Sequence, residues 1–190
     1  MASRYLSRDL LAFTVLAALA ACKSVPPGSR DVLDDRTGAT VTVVGAPITF
    51  SRPADARSSH NYLTLDAIQK DDAGKYSEFL LLYRWSAYYG KELPSAGGAT
   101  AGELIIDVDG HSVKLTPLER LPEGLPKPEV LFVPATNAAL RAYAVEPDTL
   151  KLIASSHAID LSLPDDSPDT FLLWQDGRPA LQEFLKHLSQ

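Results

Sequence analysis

The sequence has few of the residues that build metal and disulfide sites. Of its 190 residues, one is cysteine (Cys22) and four are histidine. A single cysteine excludes a disulfide framework, a cluster held by several cysteines and a paired-cysteine zinc site. The histidines do not stand at close ligand spacing, and no His-Glu-x-x-His motif occurs. We therefore predict no metal site and no cofactor.

Positive charge is also scarce. The chain carries 18 Lys and Arg against 24 Asp and Glu, for a formal net charge of −6. Domains that bind nucleic acid need clustered Lys and Arg to contact phosphates. We therefore predict no nucleic-acid partner.

Catalytic motifs are missing as well. There is no Gly-x-Ser-x-Gly sequence, and Asp107-x-Asp109-Gly110 lacks the third acidic position and the closing Glu of a calcium loop. The acidic run at residues 165–169 is typical of a solvated loop. No pair of carboxylates is singled out for sugar hydrolysis, because the fold decides which carboxylates approach each other. No catalytic residue can be named from the sequence.

One long hydrophobic run is present, from Leu10 to Ala21, and Arg4 and Arg8 precede it. At twelve residues it is shorter than the roughly 20 that a membrane-spanning helix needs. A basic start, a short apolar run and small residues at its end are typical of a secretory signal peptide. We interpret residues 1–21 as this signal.

The end of that run, Leu19-Ala20-Ala21-Cys22, resembles the lipobox of bacterial lipoproteins. The resemblance implies that Cys22 carries diacylglycerol and, after cleavage, an additional N-acyl chain such as palmitate. Several acyl chains on one residue anchor a protein stably to a membrane. Lys23 replaces the aspartate that marks inner-membrane retention in many Gram-negative bacteria, which implies the outer membrane. We expect the periplasmic face rather than the cell surface.

After the signal, the polar residues 22–35 include Pro26 and Pro27 and are predicted to form the lipidated cysteine and a flexible tether. Residues 36–190 are the size of one domain and are predicted to be a single β-rich domain. The sequence leaves open whether the proline-rich loop at 117–128 separates two lobes.

The clearest local structure surrounds Asp109-Gly110, a dipeptide favoured in two-residue hairpin turns. This turn places an apolar set of alternate residues on one face and a mostly polar set, with Asp107 and Lys114, on the other. The apolar set is Leu104, Ile106, Val108, His111, Val113 and Leu115.

A second hairpin is predicted from residues 61–69 and 75–86, joined by residues 70–74. We place Leu63, Leu65 and Ala67 on one face with Phe79, Leu81, Tyr83 and Trp85, whereas Thr64, Asp66, Glu78 and Arg84 point to the other. Leu80 and Leu82 interrupt the polar face, which indicates a central strand covered on both sides.

Further short strands are predicted near 41–43, 48–50, 130–133, 149–154 and 158–163. Two helices are predicted, a short one from Thr136 to Ala144 and a C-terminal one from Pro179. The C-terminal helix would bury Leu181, Phe184, Leu185 and Leu188. The fold class is therefore mainly β, an antiparallel β-sandwich or partial barrel with a short internal helix and a C-terminal helix.

Segments around residues 37–43, 47–50 and 83–86 resemble small uncharacterised lipoproteins of Gram-negative bacteria, a resemblance that implies no activity. Aromatic residues with arginine are typical of protein contacts, so Tyr88, Tyr89 and Arg84 are candidate partner contacts. We interpret the chain as a lipid-anchored envelope protein, a non-enzymatic binding or structural module. The alternatives are an envelope hydrolase acting on peptidoglycan, glycan or lipid, and a small-ligand carrier.

Overall fold

In the part of the chain that the structure describes, the protein is mainly antiparallel β-sheet with two helices. The computed structural model describes residues 28–53, 60–87, 102–125, 131–135, 138–164 and 167–189. Within these ranges, no helix combines the length and the apolar character needed to cross a membrane. In chain order the elements are β1 (Ser29–Leu33), β2 (Thr40–Val44), β3 (Ile48–Pro53), β4 (His60–Asp72), β5 (Lys75–Ala87), β6 (Leu104–Val108), β7 (His111–Leu115), β8 (Ala139–Ala144), α1 (Pro147–Ser155), β9 (Ile159–Leu163), β10 (Ser167–Gln175) and α2 (Arg178–Leu188).

The ten strands form one sheet built around the long hairpin of β4 and β5. One edge of β4 is shared by two strands, because β3 pairs with residues 60–65 and β2 with residues 68–71. From β3 the sheet continues through β10, β9, β6 and β7, while β1 lies beyond β2 and β8 beyond β5. Pro117, which follows β7, forms an isolated bridge with Tyr143 of β8. This bridge links the segment that follows β7 to β8, in a sheet that is otherwise open within the described residues.

The main hydrophobic core lies between the sheet and the two helices, on the side that we call the inner face. Leu150 and Ile153 of α1 and Leu181 and Phe184 of α2 pack there against strand residues and are fully buried. Burial of each such side chain contributes roughly 1.5–3 kcal/mol. The predicted C-terminal helix is confirmed, and its apolar stripe faces this core.

A second, smaller core covers part of the opposite side, the outer face. It contains alternate residues of β2, β4, β5 and β8, including Val43, Ile68 and Leu81, and Leu118, Leu125 and Leu131 pack on it. We call the described residues 118–125 and 131–135 the covering segment. Because β5 lies between β4 and β8 and is covered on both faces, the prediction of a central strand is confirmed.

The hairpin of β6 and β7 is also confirmed. Asp109 and Gly110 have φ values of 50° and 83°, and Leu104 pairs with Leu115 as the predicted register requires. Leu104 and Ile106 are fully buried on the inner face, whereas Asp107 lies on the outer face. Because the hairpin is buried on one face only, the alternation of apolar and polar residues predicts its register.

The predicted faces of the β4–β5 hairpin were wrong. A two-residue turn at Ala73-Gly74, with φ values of 54° and 86°, replaces the predicted five-residue connection. The carboxylate of Asp71 supports this turn by accepting the Gly74 N–H at 2.7 Å. Asp66 therefore pairs with Leu81, and Thr64 and Asp66 share the outer face with Leu81 and Tyr83. The hydrophobic pattern could not fix the register because both faces are buried.

The predicted types of two neighbouring elements were also wrong. Ala139–Ala144, within the predicted helix from Thr136, is strand β8, because pairing with β5 satisfies its backbone on a buried edge. Thr136 lies outside the described residues. The predicted strand at 149–154 lies in α1, which begins with Pro147, a favoured first helical residue, and buries Leu150 and Ile153 on one stripe. Residues 131–133, predicted as a strand, form none, and residue 130 lies outside the described ranges.

The N-terminal part of the described chain is held closely against the body. Ser29–Leu33, in the range predicted as tether, forms β1 and pairs with β2. A Cβ atom on Gly28 would lie 2.2 Å from the Cβ of Glu183 on α2, so the backbone approaches this helix as only glycine allows. Residues 28–33 are therefore packed against the body, although they fall in the range predicted as a flexible tether.

Candidate functional site

Aromatic side chains gather on the outer face at the end of the sheet beyond the covering segment. Tyr62 of β4 lies directly opposite Trp85 of β5, and the rings stack with centroids 4.2 Å apart and planes at 14°. Trp174 of β10 meets Tyr62 edge-on at 6.2 Å. The ring centroid of His60 lies 6.2 Å from that of Tyr62. These four residues, with Leu172 of β10, are called the aromatic cluster.

The sheet register explains how residues from separate strands meet. Between β4 and β10 runs β3, whose Ser51 pairs with both Tyr62 and Leu172. The small side chain of Ser51 leaves room for the larger rings on either side. A bulge between Leu173 and Gln175 disturbs the pairing of β10 with β3 at Trp174. Bulges re-aim side chains, and here the indole of Trp174 is directed across β3 toward Tyr62.

A buried pair of threonines fixes the orientation of one indole. The ring N–H of Trp85 donates to the hydroxyl oxygen of Thr64 at 3.1 Å, and that oxygen lies 3.3 Å from the hydroxyl of Thr49. Both threonines are buried. Because its polar atom is already bonded, Trp85 presents only its apolar ring surface to Tyr62 and the solvent.

The cluster is open to solvent on the β10 side. Trp174 is 65% exposed and Leu172 is 59% exposed. Trp and Tyr bury large areas at low entropic cost, and they dominate the binding energy of protein interfaces. An exposed cluster of this type is a candidate recognition surface.

Two carboxylates continue the same face next to the cluster. Asp160 of β9 lies directly opposite Leu172, and Asp107 of β6 lies directly opposite Asp160. Asp107 accepts a hydrogen bond from the hydroxyl of Ser112 on β7. Like charges directly opposite each other on neighbouring strands are destabilising. We call Asp107 and Asp160 the carboxylate pair.

A third feature of the outer face is buried under the covering segment. Asp66 is 1% exposed, and neither of its carboxyl oxygens has a hydrogen-bond partner among the described residues. Burial raises the pKa of Asp66 to about 7, and the Phe132 backbone and the charge of Arg30 offset only part of this effect. The nearby Tyr83 hydroxyl is also buried without a partner, and burial and Asp66 raise its pKa.

The carboxylate of Asp109, by contrast, accepts hydrogen bonds from backbone N–H groups. Its carboxylate accepts the N–H groups of His157 at 3.0 Å and Ala158 at 2.7 Å, and these bonds lower its pKa. The carboxylate thus links the β6–β7 turn to the start of β9, a structural role that agrees with the turn interpretation. Among the described residues, no group of three or more His, Cys, Asp or Glu is placed to hold a metal ion.

The inner face contains a small crevice between the sheet and the helices. It encloses about 250 Å³, part of which is open solvent. Eight apolar residues line it: Val44, Ala46, Ile48, Leu65, Ala67, Leu80, Ile153 and Leu181. The space in it that a water-sized molecule can occupy is only about 10 Å³, far less than a ligand pocket offers, and its lining residues have no polar side chain to orient a ligand.

Of the site residues predicted from the sequence, the described part of the chain includes Arg84. Cys22, Tyr88 and Tyr89 lie outside the described residues. Arg84 is half-buried and lies opposite Leu63 and Ala139, on the inner-face side of β5 and so away from Trp85. Its role as a partner contact stays a prediction.

Sequence reasoning missed the part of the cluster contributed by Tyr62, Leu172 and Trp174. The signal available was the run Phe171-Leu172-Leu173-Trp174, which is apolar without alternation and long enough for a strand. Such a run predicts a strand with apolar residues on both faces. Only the register shows that one of those faces is exposed.

We compared the chain with protein-family models, curated proteins and solved structures, and none of the three comparisons gave a match.

Proposed function

We propose that this protein is a lipid-anchored component of the bacterial cell envelope whose body binds another envelope component through the aromatic cluster. The carrying observation is that Trp174 and Leu172 are more than half exposed beside the stacked Tyr62 and Trp85. Exposed Trp and Tyr in a preformed arrangement are typical of binding surfaces. The role proposed is recognition rather than catalysis.

The membrane attachment in this proposal is supported by the lipobox-like sequence that ends at Cys22. Six residue steps separate Cys22 from Gly28, which packs closely against α2. A fully extended chain of that length spans about 20 Å. A lipid on Cys22 would therefore keep the body, and the binding surface, close to the membrane on which it is anchored.

The anchor is tested by Cys22→Ala expressed in the native envelope. We expect the variant to appear in the soluble fraction or to remain unprocessed, because the acyl chains are the proposed attachment. The measurement is fractionation with mass determination of the mature chain. A variant that is processed and still found only in the membrane fraction would contradict the anchor.

The binding surface is tested by a photoreactive amino acid placed at Leu172 and, as a control, at Tyr76. Both positions are well exposed, at 59% and 62%, but Tyr76 lies at the far end of β5. We expect a discrete crosslinked product from position 172 and none from position 76. No product from position 172, or equal products from both positions, would contradict binding through the aromatic cluster.

A further inference from the structure

We propose that the aromatic cluster and the carboxylate pair together bind a basic peptide segment of a partner protein, with a Lys or Arg stem over Leu172, its charge at the carboxylate pair, and the neighbouring part of the segment on Trp174. This inference rests on the proposed function and names the chemistry of the partner. Two observations carry it, the placement of the two groups on one face and the charge balance at the carboxylate pair.

The placement follows from the register of three neighbouring strands, β10, β9 and β6. Leu172 and Trp174 lie two residues apart on β10, and Asp160 is directly opposite Leu172. Asp107 is one strand further on. Neighbouring strands are about 4.8 Å apart, so Asp107 lies about 10 Å from β10 across the sheet. A Lys or Arg stem can lie over apolar surface while its charged end reaches outward, so a stem over Leu172 places its charge beside Asp160, on the side toward Asp107.

The charge balance shows which sign of partner this surface favours. Asp107 and Asp160 face each other. Among the described residues, the hydrogen bond that this pair of side chains accepts is donated by the Ser112 hydroxyl to Asp107. Lys114, the nearest cation along β7, lies 3.7 Å from Glu103 instead. A cation between the two carboxylates would turn a repulsive arrangement into an attractive one.

The same charges argue against other partners. Without residues 1–21 the chain carries 16 basic and 23 acidic side chains, so the body repels phosphate groups and nucleic acids. Aromatic faces attract ammonium and guanidinium groups, whereas acidic segments would be repelled by the carboxylate pair. A segment that contains Lys or Arg can interact favourably with both the aromatic cluster and the carboxylate pair.

The chain supplies its own reporter for a binding experiment. It contains two tryptophans, Trp85 and Trp174, and both belong to the aromatic cluster. The full lipidated chain in detergent micelles is titrated with a ten-residue peptide of alternating Lys and Ala. Matched peptides with Glu or Gln in place of Lys serve as controls. We expect a saturable change in tryptophan fluorescence with the Lys peptide only, and weaker binding as salt is raised.

Two variants test the two halves of the surface. Trp174→Ala should weaken binding about tenfold or more, as expected for an aromatic residue at an interface hot spot. Asp160→Asn should weaken it several-fold and reduce its salt dependence. The controls are Tyr76→Ala and Asp72→Asn, which remove an exposed aromatic residue and an exposed carboxylate at the other end of the β4–β5 hairpin. Both controls should bind as the wild type does.

The outcomes separate this inference from the proposed function. Equal loss of binding in Asp160→Asn and Asp72→Asn, or no loss in Trp174→Ala, would overturn the basic-peptide inference. A response to N-acetylglucosamine oligomers in place of the Lys peptide would overturn it as well. In each of these cases, a crosslink from position 172 would still support the proposal that the protein binds a partner through the aromatic cluster. Absence of both the crosslink and the peptide response would remove both proposals.

Discussion

Replacing Asp66 by Asn should stabilise the protein at neutral and alkaline pH. The carboxyl group is buried on the outer face, and the Phe132 backbone and the charge of Arg30 offset only part of the cost of burying its charge, so the folded state favours its protonated form. Its pKa is raised from 3.8 to about 7. Asn has nearly the same shape and carries no charge, so it removes the cost of burying the carboxylate.

The magnitude follows from the difference in pKa between the folded and the unfolded chain. Each pKa unit corresponds to 1.36 kcal/mol, so a shift of about three units is worth about 4 kcal/mol. Below pH 4 both states of the wild-type chain are protonated at Asp66, and its contribution to stability is fully present. As the pH rises from 4 to 7, only the unfolded chain ionises, and the wild type loses about 1.4 kcal/mol per pH unit. Above pH 7 the loss is complete and constant.

Urea unfolding at pH values from 4 to 8, followed by tryptophan fluorescence, measures this effect. The free energy of unfolding of Asp66→Asn minus that of the wild type should be near zero at pH 4 and about 4 kcal/mol at pH 8. Other groups, such as Asp109, whose pKa is lowered, contribute equally to the stability of both proteins, so their contributions cancel in the difference. Asp72→Asn is the control, because it replaces a carboxylate that is 66% exposed in the same hairpin, and the pH-dependent gain should be specific to Asp66→Asn. A flat difference for Asp66→Asn would refute the reasoning.

Three further substitutions test the packing. Gly177→Ala should destabilise the protein by about 1–3 kcal/mol, because the new Cβ would lie 2.3 Å from the carbonyl oxygen of Pro47. Urea unfolding measures this loss of stability, and unchanged stability would contradict the close approach. Phe184→Ala should cost about 3–5 kcal/mol through the cavity left in the inner core, whereas a cost below 1 kcal/mol in the same assay would show that α2 is not docked there. Asp109→Ala should raise amide hydrogen exchange at His157 and Ala158, whose N–H groups lose their acceptor, and unchanged protection would contradict that role.

The elements that the sequence predicted correctly are those buried on one side. In the β6–β7 hairpin, alternation and the Asp109-Gly110 turn agree, so a shift of one residue would expose the whole apolar set. The C-terminal helix is similar, because Leu181 and Phe184 lie on a single stripe with Pro179 in the first turn.

Prediction failed where burial on both faces removes the pattern. In β4 and β5 the apolar residues occur at odd and even positions alike, so the turn at Ala73-Gly74 decides the pairing. In α1 and β8 the segments are short, and their type depends on tertiary contacts rather than on propensity.

The candidate site could be predicted only in part for a related reason. Trp85 is conspicuous in the sequence, but its place beside Trp174 depends on the pairing of β3 with both β4 and β10. Ser51 and Leu172 meet across 121 positions of sequence. No local pattern encodes a contact of that range.

The bridge between Pro117 and Tyr143 also affects how the protein should behave at high concentration. Unpaired strand edges are templates on which a second copy can add a strand, the first step of many aggregates. Here the edge of β8 is occupied by the bridge and by the Leu118 N–H, which donates to the carbonyl of Ala142 at 2.8 Å. At the β1 end, the edge strand is five residues long and carries the charges of Arg30 and Asp31. Short, charged and occupied edges disfavour strand addition, so the edges of β1 and β8 are poor templates for self-association.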